Sequence, residues 1–359
     1  VSGSTSRAEE FEELRPLLFS IAYRLLGRVS EAEDAVQETW LRYEGSATPP
    51  TSVKAFLSAV VTRISINVLR SARVRREEYA GPWFPEPLLS DPYQDPERSA
   101  ELADSVSMAA LLLLERLTPL ERAVFVLREV FGFDYRDIAS AVGRSEAACR
   151  QLTVRARRHM DAGRPRFETD RRAHEELADR FFAALREGSV DRLRELLAAD
   201  VRMVADSGGK APRWAQGIFG VDHVSRLLAT LLPAFSRTGG LVEPHRVNGQ
   251  QGAIFRDRTG NVVNTWALDI RNGQIETIRT VSNPDKLAHV GPVADGWAVL
   301  RETQAAQRAP GRRAERTFTG MPRNQEGQPA CASPSSGPTA PPAACSRARH
   351  SPPDTGSRP

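Results

Sequence analysis

Arginine is the residue whose placement in this chain points to chemistry. Seven arginines lie between Arg144 and Arg166 against two acids, Glu146 and Asp161, and five lie between Arg63 and Arg76 with no acid among them. Guanidinium groups ranged along one side of a helix neutralise phosphates, so two such clusters point to nucleic acid touched at two places. A solvated helix face would explain either cluster alone; the pair is more telling. Lysine occurs only at 54, 210 and 286, and the last two fall in short motifs, DSGGK at 206–210 and NPDKL at 283–287. The three cysteines, Cys149, Cys331 and Cys345, have neither metal-ligand spacing nor a disulfide framework. No metal, no cofactor and a cytoplasmic setting are therefore expected.

The second arginine cluster needs an element to present it, and residues 117–160 supply one. Thr118 suits a helix cap, Pro119 the first helical position, and Glu121 the third, from which it reaches back to the cap. Leu120, Val124, Leu127, Val130 and Phe131 keep an apolar stripe, and Gly132 can end the helix. Asp134 opens a short helix with Ile138, Ala139 and Val142 inward, Gly143 makes a tight turn, and Ser145 caps again. The last helix then buries Cys149, Leu152 and Ala156 and turns Arg150, Gln151, Arg155, Arg157 and Arg158 outward. Two short helices joined at a glycine form a helix-turn-helix, a shape suited to a DNA major groove.

The first cluster is positioned by three more helices. Glu9 to Arg28 is amphipathic, Ser30 with Glu33 begins a helix with an acidic face (Glu31, Asp34, Glu38), and Val53 to Arg73 carries the arginines opposite an apolar side. A linker at 77–104 follows, with five prolines between Glu77 and Arg98 and an extended path expected for it; a helix over 100–116 leads into the helix-turn-helix. A chain of 359 residues accommodates two or three such domains, and its net charge of +4 leaves affinity for nucleic acid to these local clusters. No stretch reaches the ~18 apolar residues of a membrane helix, and the first residues lack a signal-peptide core, so no membrane partner is expected.

These motifs together, SEAEDAVQETWLR, VVTRISINVLRSARVRRE and the 117–160 segment, resemble a bacterial RNA polymerase sigma factor of the extracytoplasmic-function class. Region 2 would span 9–76 and region 4 105–162, and YAGPWFPEP at 79–87 is similar to the linker of the subgroup with a SnoaL-like C-terminal extension. The resemblance implies a protein with no catalysis of its own whose partners are core polymerase (β′ clamp and β flap) and promoter DNA. Asp34, Gln37, Glu38 and Leu41 would meet the clamp. Arg63, Asn67, Arg70 and Arg73 would bind the −10 element, with the 43–53 loop a place for an unstacked base. Ser145, Glu146, Arg150 and Gln151 would face −35 base edges while Arg155 and Arg157 hold phosphates.

The C-terminal half changes period. Helices over 174–187 and 190–197 precede strands at 201–205, 253–256, 262–270 and 275–281, the last two joined at Asn272-Gly273, a hairpin signal. Helices followed by a curved antiparallel sheet give an α+β domain at 172–290, and its motifs resemble the SnoaL-like extension, a cone-shaped barrel. The whole is thus multidomain: all-α regions 2 and 4, then the α+β cone and a Pro- and Arg-rich tail at 300–359 expected to be disordered. Regulatory residues implied by the resemblance are Trp83, Pro85, Glu86 and Pro87 in the linker, Asp206, Gly208, Gly209 and Lys210 in the first motif, and Asn283, Pro284, Asp285 and Lys286 in the second. They would join the extension to the sigma regions in cis, and a small-molecule ligand for the cone is allowed, though no residue identifies one.

Two alternatives stay open on sequence alone. A helix-turn-helix regulator with a ligand-sensing C-terminal domain would need region 4 but not region 2. A SnoaL-like enzyme would need Asp206, Trp214, Asp222, His223 and His245 to converge on one pocket, whereas an Asp beside two glycines is equally a turn.

Overall fold

The computed structural model describes residues 6–308 except 78, 94, 96, 98–101, 103, 162–170 and 213–216, and the side chains of 72–77 and 161. Helix α1 (Arg7–Leu26) starts at a capping box between Ser6 and Glu9 and stops at Gly27 in the left-handed conformation. Helices α2 (Val29–Glu44) and α3 (Val53–Glu77) pack on it. Then come α4 (Met108–Leu114), α5 (Pro119–Phe125) with a π turn over Val126–Val130, α6 (Tyr135–Val142) and α7 (Glu146–Asp161). The capping box of Thr118 and Glu121 and the left-handed Gly143 between α6 and α7 stand where the sequence places them. Regions 2 and 4 do not have separate cores. One apolar cluster runs from Phe11 and Leu18 through Leu57 and Ile64 to Val124, Ile138 and Cys149.

The C-terminal domain begins with α8 (Arg171–Glu187) and α9 (Val190–Leu196). Strands β1 (Leu197–Asp206) and β2 (Ile218–Phe219), helix α10 (Val221–Arg237), and strands β3 (Leu241–Val247), β4 (Gln250–Arg256), β5 (Val262–Arg271) and β6 (Gln274–Val281) follow, then a 3-10 turn at Pro284–Lys286 and α11 (Gly296–Arg308). The sheet order is β2-β1-β6-β5-β4-β3. All neighbours are antiparallel except β1 and β6, so the sheet is mixed rather than wholly antiparallel. One face holds the helices through Phe181, Leu228, Phe255 and Trp266. The other meets linker Phe84 and region 4 Met108 over Ile254, Val262, Ala267 and Val281. A sheet with two apolar faces buries both, and here the second is covered by the chain's own N-terminal half.

Two expectations are corrected by these elements. Ser30 does not cap α2, whose N-cap position is Arg28; the reason lies in the linker and is given below. Disorder does not begin at 300, because α11 continues to Arg308. Asp295 Oδ1 accepts from the N–H groups of Trp297 and Ala298, Val299 and Thr303 are buried one turn apart, and Arg237 Nη2 donates to Ala306 O. The rest of the tail, 309–359, lies outside the described residues.

Candidate functional site

The outward faces come first. On α2, Asp34, Gln37 and Leu41 are exposed side by side, and Glu38 holds Arg42 at 2.8 Å one turn away. On α3, Arg63, Asn67 and Arg70 project from the side opposite Leu57, Val61 and Ile64; Arg73 is on the same helix, its side chain outside the described part. Tyr43 is buried against Trp40 and Phe56 and donates to Glu10, so the exposed part of the 43–53 loop is its polar stretch from Gly45 onward. Ser145, Glu146, Arg150, Gln151, Arg155 and Arg157 are all exposed on or just before α7. Each of the three arginines is matched by a carboxylate: Arg150 by Glu146 at 2.8 Å, Arg155 by Glu121 at 3.4 Å, and Arg157 by both oxygens of Glu129 at 2.9 and 3.0 Å. Thr153, polar in an otherwise apolar row, donates to Cys149 O and is satisfied within its own helix.

A second constellation lies beneath the linker, and it is buried. The Pro-rich segment 79–93 is extended, as its prolines require, but Phe84, Pro85, Glu86, Pro87 and Leu88 are buried rather than solvated. Asp206, at the end of β1 and fully buried, collects four donors. Tyr79 Oη and Gly208 N reach Oδ1 at 2.5 and 3.1 Å, while Phe84 N and Lys286 Nζ each reach Oδ2 at 2.7 Å. Lys286, 3 % exposed, also donates to Phe84 O and stands 4.3 Å from the Trp83 ring and 4.7 Å from that of Tyr79. Burial lowers the Lys286 ammonium below its ordinary range while the Asp206 carboxylate pulls it back up. The Tyr79 phenol is pushed upward by burial and by its bond to that carboxylate.

DSGGK and NPDKL are one structure. Asn283 Nδ2 donates to Tyr79 Oη at 2.7 Å and its Oδ1 accepts from Asp285 N at 3.1 Å, Pro284 opens the 3-10 turn, and Lys210 pairs with Asp285 at the rim. Gly208 has φ +56°, and a Cβ there would stand 2.3 Å from Asn283 Nδ2, so the glycine is required twice over. Gly209 follows at φ +73°. Ser207, just before the two glycines, is buried in this turn.

The same linker grips region 2 through Glu86. Its N–H donates to Gly27 O at 2.8 Å, its carbonyl accepts from Tyr23 Oη at 2.6 Å, Oε1 accepts from Arg28 Nε at 2.9 Å, and Oε2 accepts from Val29 N at 2.7 Å. A carboxylate from the linker thus caps α2, which is why Ser30 is not needed there. Trp83 lies over Gly27 so closely that a Cβ there would meet its ring at 3.0 Å. His289 Nε2 lies 2.6 Å from Pro87 O, extending the contact toward the C-terminal domain.

Sequence reading missed Asn248. It lies at the tip of the β3–β4 hairpin with φ +54° and is fully buried. Its N–H donates to Leu88 O at 2.7 Å and its Oδ1 accepts from Leu88 N at 3.1 Å. Its Nδ2 donates to Tyr23 Oη at 2.7 Å and Val106 O at 3.1 Å. One amide therefore joins region 2, the linker and the entry to region 4. The available signal was the Asn-Gly pair at 248–249, the same hairpin signature found at 272–273. Also unforeseen is Arg24, 1 % exposed, which donates to Asp91, Leu102 O and Ser105 from within α1.

Among the described residues the catalytic alternative finds no assembled site. Asp222, His223 and His245 are exposed, on Arg194, Phe219 O and Arg246 O respectively, and Asp206 is turned into the linker; Trp214 lies outside the described residues. Inside the cone, Phe235, Phe255 and Trp266 leave about 30 Å³, room for little more than a water. No helix among the described residues is long and apolar enough to cross a membrane.

Comparison with known proteins agrees with this layout. Residues 11–75 match the family described as Sigma-70 region 2, and residues 107–160 that described as Sigma-70, region 4. The ECF RNA polymerase sigma factor SigJ of Mycobacterium tuberculosis is 38% identical over 288 residues, covering 77% of this chain and 92% of that protein. A probable ECF RNA polymerase sigma factor SigI of the same species is 31% identical over 277 residues, 76% and 92% of the two chains. The crystal structure of the M. tuberculosis SigJ protein superposes with a TM-score of 0.62 at 34% identity, covering 80% of this chain and all of that one.

Proposed function

Because this chain belongs to the ECF family of RNA polymerase sigma factors, non-enzymatic initiation factors that bind core polymerase and promoter DNA, we propose that its C-terminal SnoaL-like domain restrains it in cis through the linker. The presence of region 2 sets aside the reading as an ordinary helix-turn-helix regulator. In this proposal Asp34, Gln37, Glu38 and Leu41 dock on the clamp, Arg63, Asn67, Arg70 and Arg73 hold the −10 element, and Ser145, Glu146, Arg150, Gln151, Arg155 and Arg157 read and grip the −35 element. Region 4 docks on the β flap.

One observation carries the proposal: linker residues two apart are held by different domains of the chain, Phe84 by Asp206 and Lys286, Glu86 by Tyr23, Arg28 and Val29. Two DNA contacts made at separate promoter elements need the two DNA-binding modules free to move apart, and a linker held at Phe84 and Glu86 opposes that. Run-off transcription with purified core polymerase tests this. Asn248→Gly keeps the left-handed turn while removing the amide, and is expected to change promoter-dependent transcription several-fold relative to wild type. Equal transcription from wild type, Asn248→Gly and Lys286→Met would contradict restraint in cis.

A further inference from the structure

Arg63 is claimed by two partners. It belongs to the basic stripe of α3, yet its guanidinium donates from Nε to Ala141 O at 3.0 Å and from Nη2 to Ser140 O at 2.5 Å. Those carbonyls close α6, the first helix of the helix-turn-helix. The N–H groups of Gly143 and Arg144 both turn back to Ala139 O, which leaves Ser140 and Ala141 to an outside donor at the negative end of the helix. The planar fork of arginine spans two adjacent carbonyls, as a lysine ammonium does not. Nearby, Lys54 Nζ stands 5.8 Å over the Phe133 ring, and Val61, Ile64, Ile138 and Ala141 share one core.

We propose that Arg63 is a two-position pin, capping α6 in the free chain and moving to a promoter phosphate when the two DNA-binding modules separate. Packed helices lie roughly 8–10 Å apart, whereas half-sites one turn apart on a duplex are already about 34 Å apart. The packed arrangement therefore cannot serve two separate elements at once. Its consequence is selective: Asp34, Gln37 and Leu41 on α2, Asn67 and Arg70 on α3 and the −35 face of α7 remain exposed, while the Arg63 guanidinium is the −10 contact withheld. The restraint acts at −10 engagement and leaves core docking open. Both partners lie in the N-terminal half, so this pin is additional to the C-terminal restraint, resting on the reading above only in that Arg63 meets −10 DNA.

Hydrogen exchange and transcription on the full chain test it together. Arg63→Lys keeps the charge and loses the fork. Exchange of the amides around 140–146 should rise by about tenfold in the free protein, with transcription lowered less than in Arg63→Ala because the charge that meets a phosphate remains. Arg63→Ala should raise exchange equally and lower transcription by about tenfold or more. Unchanged exchange in both variants overturns the pin, as does wild-type transcription from Arg63→Ala. Transcription equally low in both variants also overturns it, since the α6 contact would then be needed rather than restraining. Asn248→Gly and Lys286→Met leave Arg63 intact, so wild-type transcription from those two removes the C-terminal restraint and leaves this result standing.

Discussion

The arginine pairs on α7 and the lysine pair under the linker use similar charges to opposite ends. Arg150 and Glu146, or Arg157 and Glu129, meet on the surface with the guanidinium sides about half exposed (56 and 54 %), whereas Lys286 and Asp206 are 3 and 0 % exposed. A surface pair contributes about 0–1 kcal/mol and is screened by salt, so a phosphate can replace the carboxylate with little resistance. A buried pair is different in kind, because removing one partner strands the other in a medium that does not solvate it. On the proposed reading, DNA contact would rest on exchangeable pairs and restraint in cis on one that is not.

Lys286→Met should therefore produce the largest change. It leaves Asp206 buried with a stranded charge and is expected to lower the stability of the C-terminal domain by about 3–5 kcal/mol in denaturant titration. The double variant Asp206→Asn/Lys286→Met should recover much of that loss; no recovery would mean that the pair is not the source. Gly208→Ala comes next, since it combines φ +56° with the approach to Asn283, and a loss of about 1–2 kcal/mol or more is expected by the same titration. Glu129→Gln sharpens the contrast from the other side. It frees Arg157 of a bidentate partner, and holoenzyme affinity for a mapped promoter should change by less than about fivefold, with the difference vanishing at high salt.

The smallest effect is in pH. Burial raises the Tyr23 phenol above its ordinary 10.0, so the folded chain keeps a proton that the unfolded chain releases above that pH. The contribution is complete below pH 10 and declines as pH rises further. The stability gap between wild type and Tyr23→Phe should hold constant up to about pH 9.5 and narrow above 10. A gap that widens with pH would mean the phenol ionises more readily in the fold.

What was legible in the sequence is local. The Thr118–Glu121 box, the Gly143 turn, the apolar rows and the arginine faces follow from spacing over a few residues, and the family motifs located Asp206 and Lys286. What was not legible is set by distant partners. Ser30 and Glu33 make a plausible cap pair, but Glu86 reaches α2 first, 57 residues away in sequence from Val29. Helix α10 carries Pro233 inside it, and β3 has Pro244 and alternation blurred by an edge position, so neither announces itself. Asn248 has a hairpin signature, yet nothing in that dipeptide says its amide would serve Tyr23, 225 residues earlier. The Pro-rich linker illustrates both halves: proline fixes its extension, and only the later-arriving sheet decides that it is covered.

That order of arrival matters during synthesis. Phe84 meets Lys286 across 202 residues, so at roughly 5–20 residues per second the linker leaves the ribosome some 10–40 s before its lysine exists. If the proposed restraint holds, each newly made molecule passes through an interval in which regions 2 and 4 have been synthesised and the brake has not. Ribosome-bound chains stalled before residue 206 should capture core polymerase differently from finished ones. A burst of synthesis would then act as a signal in its own right.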